Sequence, residues 1–410
     1  MPDGVQCSAS PLIADWLQEM QQGRSDFAAM LRAPADGYRD TIREICQQPA
    51  TWAATARRLA TYQALAASSL DSCRRVVLTG SGSSQYAGEC AAPALRRDFG
   101  RPVEVAGGGE LLLRRRSSVA GEPTLVVSLA RSGESPESAA VVETLLEPEP
   151  QTRHLVVTCN AQGKLAREFA GDPRVRVIDL GAHLNDRSLV MTGSFTNLVL
   201  GARFLGWVER TGEFGAMADR IDAAGRQLLS TWPDCLGGLV RGGIQRVVFL
   251  GSGARFGACR EGALKLLEMT GGRVATLAET YLGLRHGPMS FLDERTLVVC
   301  FLSSDPLVRE YERDLIAELN TKHLGARKLI AGAGDPGEGL CQDQDMAIAY
   351  AVPRDTADDD LVLLDAMIAQ ILGFHRCLEE GLQPDSPSVN QVISRVVGEF
   401  RIHRAEAAPK

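Results

Sequence analysis

Positive charge is in short supply in this sequence. Its 410 residues hold 44 lysines and arginines against 51 aspartates and glutamates, a net charge of -7. No basic face of the kind that binds nucleic acid is therefore expected. Aromatic residues are scarce as well, at 5%. No uninterrupted apolar run reaches the ~18 residues of a membrane span, so none is expected. Met1-Pro2-Asp3-Gly4 has no basic region and no apolar run behind it, so no signal peptide is expected and the cytoplasm is the expected compartment. The ten cysteines, from Cys7 to Cys377, include no CxxC pair, and the six histidines include no HExxH. That scatter predicts neither a disulfide framework nor a metal centre, but small buried thiols in a reducing compartment. A GxxxxGK[ST] phosphate loop is missing too. With 45% hydrophobic and 23% charged residues, the chain reads as globular, and its length suits two or three domains.

What the chain does have is a duplication. Arg75-Val76-Val77-Leu78-Thr79-Gly80-Ser81-Gly82 recurs as Arg246-Val247-Val248-Phe249-Leu250-Gly251-Ser252-Gly253, 171 residues further on. Thr124-Leu125-Val126-Val127 recurs as Thr296-Leu297-Val298-Val299, and Arg153-His154-Leu155-Val156 as Arg327-Lys328-Leu329-Ile330, at offsets of 172 and 174. Each copy alternates short apolar runs with longer stretches of helical period, the pattern of βαβ units around a parallel sheet. The fold class is therefore α/β, with two tandem doubly wound domains behind a helical N-terminal extension. Residues 1–50 form the extension, 51–220 the first domain, 221–395 the second and 396–410 a tail. Three helices are expected before the first strand: Ala14–Arg32, Gly37–Gln48 stopping before Pro49, and Ala50–Ala67. A long apolar helix runs over Leu361–Leu382 and ends at Gly381.

Open parallel sheets bind ligands beyond the carboxyl ends of their strands. In the first copy those ends lead into Gly80-Ser81-Gly82-Ser83-Ser84-Gln85 and Arg131-Ser132-Gly133-Glu134-Ser135-Pro136. Glycines allow close backbone approach, hydroxyls donate hydrogen bonds, and a helix start favours an anion. Pro136 suits the first helical position. Two such loops on one sheet point to a phosphate. The second copy offers Gly251-Ser252-Gly253-Ala254-Arg255 and Ser303-Ser304-Asp305-Pro306 instead; Asp305 would repel an anion, so one phosphate site per chain is expected. Neither glycine turn completes GxGxxG, although Glu104 stands about 20 residues past the first, where a dinucleotide-binding domain places its ribose acid. That keeps an NAD-dependent oxidoreductase as an alternative.

The second copy carries different chemistry. Glu261, Lys265 and Glu268 fall at i, i+4 and i+7 of a helical stretch, on one face. Spacing alone reads equally as a salt-bridged solvated surface. Downstream, His286 sits between Arg285 and a Gly287-Pro288 break, a restrained and exposed setting that suits acid–base work.

Taken together, these residues resemble the SIS (sugar isomerase) family. Gly80 to Ser84 and Ser132-Gly133-Glu134-Ser135 look like its phosphate loops. Glu261 to Glu268, with Glu279 and His286-Gly287-Pro288, is similar to the catalytic segment in the isomerase half of glucosamine-6-phosphate synthase. Thr41 to Pro49, Ser128 to Ser138 and Asn185 to Thr192 look like the AgaS branch of galactosamine-6-phosphate deaminase/isomerases, also called tagatose-6-phosphate ketose/aldose isomerases. The resemblance runs from about Asp40 to Arg395. It implies tandem SIS domains, an intimate homodimer with shared sites, and neither metal nor redox cofactor. Ser83, Ser84, Ser132 and Ser135, with the Arg131 amide, would hold the phosphate. Glu268 would move a proton between C1 and C2, Glu261 and Lys265 would support it, and His286 would open the sugar ring from the neighbouring subunit.

Two departures stand out. The Glu268–His286 spacing is two residues longer than in the synthase, and Arg395 stands near the place of its imine-forming lysine. With a C2 hydroxyl, the proton shift gives a ketose. With a C2 amine it gives an imine that water splits, which would group the enzyme with hydrolases as well as isomerases. The expected substrate is an amino-hexose 6-phosphate, galactosamine 6-phosphate giving tagatose 6-phosphate and ammonia. A pure aldose/ketose isomerase and a non-catalytic sugar-phosphate sensor remain as alternatives.

Overall fold

Ten strands form two separate parallel sheets in a computed structural model that describes residues 11–119, 121–146, 151–337, 339–398 and 400–403. Cys7 lies outside the described residues. The first sheet consists of β1 (Arg75–Gly80), β2 (Val103–Gly107), β3 (Thr124–Ala130), β4 (Arg153–Thr158) and β5 (Val175–Asp179). The second consists of β6 (Arg246–Leu250), β7 (Ala275–Glu279), β8 (Thr296–Leu302), β9 (Arg327–Ala333) and β10 (Met346–Tyr350). The orders are β2-β1-β3-β4-β5 and β7-β6-β8-β9-β10, the same path walked twice. Register repeats as well, since Arg75 pairs with Thr124 and Arg246 with Thr296. β3 and β8 are buried at every residue, as continuous apolar runs require when helices cover both faces. The first turn of each copy pivots on a glycine with φ +57°, Gly82 and Gly253, a backbone setting that side chains disfavour.

The helices that follow those turns, Ser83–Phe99 and Ala254–Met269, join the two halves. They approach so closely at Gly257 that a Cβ there would stand 2.7 Å from the Cys90 backbone nitrogen. Arg203 and Asp360 close the same seam with a buried ion pair at 2.7 Å. The apolar Asp358–Glu379 helix is long enough to cross a bilayer, yet 89% of its apolar window is buried inside the molecule, packed on Ala254–Met269. It ends before Gly381, whose φ is +68°.

The N-terminal helices differ from expectation. They span Pro11–Gln21, Asp26–Arg32, Arg39–Ala60 and Gln63–Leu70, and Pro49 lies inside an unbroken helix. Proline removes the N–H that would bond the carbonyl four residues back, here Ile45. The Gln48 side chain replaces it: its Nε2 donates to Ile45 O at 3.1 Å and to Gln370 Oε1 at 2.6 Å, while its Oε1 accepts from Thr196 Oγ1 at 2.9 Å. The adjacent glutamine thus carries the helix past the proline. Gln48→Met should cost about 1–3 kcal/mol, because buried acceptors lose their donor. Pro49→Ala in that background restores an N–H for Ile45 and should recover part of the loss. Urea unfolding of the two single variants and the double variant measures this; additive losses would mean that Gln48 does not serve the proline.

Candidate active site

The first sheet ends in a polar cradle. β1 runs through Gly80-Ser81-Gly82 into the helix at Ser83, so Ser83 and Ser84 occupy its first turn, both nearly buried. β3 runs through Arg131 to Ser135 into the Pro136–Leu146 helix. Gly133 adopts φ +66°, and Ser132 O accepts from Asn160 Nδ2 at 2.9 Å. Ser81 Oγ donates to Glu137, which ties the two loops together. The Ser135 hydroxyl oxygen is buried and has no hydrogen-bond partner among the described residues, an unmet need that a bound anion would fill. Two helix starts face the same space, each favouring negative charge.

The second copy brings a row of charged side chains to the same region from Ala254–Met269. Glu261 is 0% and Lys265 1% exposed, so this face is not the solvated surface that spacing alone allowed. Lys265 Nζ bonds Glu268 at 2.5 Å and stands 3.5 Å from Glu261. Burial pushes Glu261 up to about 8, with Lys265 pulling the other way and Glu268 adding to the rise. Burial would lower Lys265, but Glu261 and Glu268 outweigh it and raise its pKa. Lys265 thus stands between the two carboxylates, and burial favours a proton on Glu261. Glu268 keeps some solvent access, with its side chain 22% exposed. Leu264, on the same helix, would lie 3.8 Å from a Cβ placed on Gly82 of the phosphate turn. Lys265 and Glu268 both lie within electrostatic reach of Arg131.

Behind the cradle is a network whose roles the sequence did not reveal. The Arg131 guanidinium donates to Leu189 O at 3.0 Å and to Arg395 O. Arg395 in turn donates to Asp186 O at 2.7 Å and to Asn185 Oδ1 at 2.6 Å. It is a strut in the wall of the site. Below the same loop, Asp186 Oδ2 accepts from Thr192 N, Ser194 N and Ser194 Oγ, and Glu44 accepts from Arg187 N and Ser188 N. Burial first, and Asp186 next, raise the Glu44 pKa. Burial likewise raises Asp186 against its own hydrogen bonds. Ser188 Oγ lies within bonding distance of both Glu44 Oε2 and Val190 O. With one proton it satisfies both if Glu44 is protonated and donates to it. Glu44 and Asp186 lie in two of the motifs that carry the resemblance, so the signal was present without its meaning.

The equivalent loops of the second copy are filled. Asp358 accepts from Ser303 Oγ and Ser304 N, and Glu312 accepts from Ser303 N at 2.7 Å. Asp305 is the helix cap, accepting from Leu307 N and Val308 N. Arg255 is fully buried and paired with Asp365 at 2.6 Å. The chain's own carboxylates hold the place that a phosphate would take, which excludes one more directly than Asp305 alone.

His286 is exposed in the turn after the Tyr281–Leu284 helix, and Gly287 behind it has φ +120°. Among the described residues its ring makes no hydrogen bond and no ion pair. Glu104 bonds Arg75, which occupies the carboxylate that the oxidoreductase alternative needed for a ribose. All nine described cysteines are free thiols.

Tandem Rossmann-like sheets with one serine-lined anion cradle and a facing carboxylate–lysine helix define a sugar-phosphate-handling protein. The SIS domain model matches residues 69–178 and 243–375. A Streptomyces coelicolor protein provisionally named D-galactosamine-6-phosphate deaminase AgaS is 38% identical over 88% of this chain and 95% of its own. The Escherichia coli D-galactosamine-6-phosphate deaminase AgaS is 33% identical over 81% and 86%. A structure from Clostridium novyi NT, provisionally described as a tagatose-6-phosphate ketose/aldose isomerase, superposes with a TM-score of 0.85 at 30% identity, covering 97% of this chain and 100% of that one. The chain belongs to the SIS domain family, in its branch of amino-sugar phosphate deaminases and ketose/aldose isomerases. The expected hydrolase grouping does not stand: the relatives are deaminases and isomerases by name.

The raised carboxylates give stability a direction with pH. An acid whose folded pKa lies above its unfolded value near 4.5 stabilises the fold fully below that value. The contribution is lost as pH rises through the folded value, about 8 for Glu261. Unfolding free energy should therefore fall from mildly acidic pH towards pH 8. Glu44→Gln should flatten that slope by up to about 1.4 kcal/mol per pH unit. An unchanged slope in urea titrations across this range would show Glu44 to be ionised in the folded protein.

Proposed function

We propose that this enzyme releases ammonia from a 2-amino-2-deoxyhexose 6-phosphate, galactosamine 6-phosphate foremost, and yields the ketose 6-phosphate, here tagatose 6-phosphate. The supporting observation is the buried Glu261–Lys265–Glu268 face of the second copy set against the serine cradle of the first. The phosphate sits on Ser83, Ser84, Ser132 and Ser135 with the Arg131 amide. The ring opens, with His286 of a second subunit exchanging the proton on the ring oxygen. Glu268 then takes the proton from C2 while C1 gains one, which leaves an imine at C2. Water adds to C2, ammonia leaves, and the ketose remains. Lys265 aims Glu268 through their contact, and Glu261 flanks the same ammonium. A C2 hydroxyl in place of the amine makes the same proton shift an isomerisation, and the name of the Clostridium novyi relative favours keeping that reading beside the first. The working unit is a cytoplasmic homodimer, with residues 51–220 binding phosphate and 221–395 bearing the proton-transfer groups.

Ammonia and ketose phosphate should appear in equal amounts from galactosamine 6-phosphate. Conversion of the aldose phosphate alone would leave only the isomerase. Glu268→Gln should lower kcat by about 10²–10⁴-fold with KM nearly kept, because the phosphate anchor lies in the other domain. Ser84→Ala with Ser132→Ala should instead weaken binding, each lost bond to the charged phosphate costing about 1.5–3 kcal/mol. An intact KM in the double variant would make those serines helix caps only. Mixed dimers of His286→Ala and Glu268→Gln chains should regain one working site in two. Hybrids as inactive as either parent would place both residues in the same chain.

A further inference from the structure

At the opposite end of the first sheet, beside the amino ends of β4 and β5, lies a cavity of about 460 Å³. It falls within the usual size range of small-molecule sites. Three guanidinium groups line it, from Arg153, Arg174 and Arg176, together with Ser68, Asp71 and His154. Arg174 is paired with Asp172 at 2.7 Å. The other two bond neutral oxygens only: Arg153 donates to Asp71 O at 2.9 Å and Ser68 O at 3.3 Å, and Arg176 donates to Ser68 Oγ at 2.5 Å. Among the described residues neither has a carboxylate within ion-pair distance. In a chain of net charge -7, two unneutralised arginines facing one cavity are a local reversal of sign.

His154 gives the second, independent observation. It is 1% exposed, it lines the cavity, and neither ring nitrogen has a hydrogen-bond partner among the described residues. Burying such a group without a partner is costly, and native structures rarely leave it so. Burial, and then Arg174, push its pKa down to about 4, so at neutral pH the ring is uncharged and offers one N–H and one acceptor. An anion that also carries hydroxyl groups meets every element here: its charge falls to the guanidinium groups, which match phosphate oxygens in a fork. Its hydroxyls fall to Asp71, Ser68 and the imidazole.

We propose that this cavity is a second binding site, distinct from the catalytic cradle, for a small phosphomonoester bearing hydroxyl groups. A path to the catalytic end exists. β4 carries His154 near its start, and just past its end Asn160 holds Ser132 O of the phosphate loop. The stretch from His154 to Thr158 spans about 13 Å of rigid strand.

The test is calorimetric titration with inorganic phosphate and with glucose 6-phosphate. In the Ser84→Ala/Ser132→Ala protein, whose cradle is disabled, one site per chain should still bind glucose 6-phosphate. Adding Arg176→Gln, a change at an exposed hydrogen bond that leaves the fold's main-chain contacts alone, should weaken that binding by about tenfold. The side-chain 15N resonances of His154 should shift on addition of either probe to the protein with the intact cavity. Binding that disappears with the cradle serines, or a His154 signal unmoved at saturation, overturns the proposal. A single wild-type site that survives the serine changes and is lost with Arg176→Gln would uphold this cavity while refuting the assigned cradle. The two readings therefore fail separately.

Discussion

The close approach of two helices at Gly257 and Cys90 is the constraint on which the site depends. Each helix begins at the glycine turn of its own copy, so the crossing sets the phosphate turn of one half against the side chains of the other. Any side chain at position 257 would meet backbone, which moves only if a whole helix moves. Glu261 and Lys265 of Ala254–Met269 are buried in this packing, and burial is what makes Glu261 a weak acid and keeps Lys265 from being a mobile surface cation. Chemistry that neither copy holds alone is thus made by packing.

Duplication then left two loop pairs with different fates. In the first copy the hydroxyl of Ser135 is left unpartnered, and in the second the amides of Ser303 and Ser304 are satisfied by Asp358 and Glu312. Burial pushes Glu312 up to about 7, so the filled loop itself carries a cost in desolvation. An internal carboxylate fills the loop with the chain's own hydrogen bonds, where the first copy leaves a buried hydroxyl open.

Strand runs, their order along the chain and the serine loops were legible because each rests on local pattern: apolar continuity, glycine turns and a proline at a helix start. The Glu261–Lys265–Glu268 row was legible as a face, but not as a buried one, since period alone cannot say what a helix packs against. Pro49 was misread because the compensating donor is a side chain, Gln48, that looks like any polar residue in a string. Glu44 and Asp186 were harder still. They are 142 residues apart in the chain, and their meaning arises only where their loops share one buried space. His286 keeps its character as an exposed ring beside a glycine turn, with no hydrogen-bond partner among the described residues.

The strut formed by Arg395 has a consequence for how the site is completed. Arg131 finds one of its acceptors in the main chain of residue 395, and between them Arg395 holds Asn185 and Asp186 while Arg131 holds Leu189. The wall of the cradle is closed by a segment 264 residues further along the chain, so it is complete only when both halves are in place.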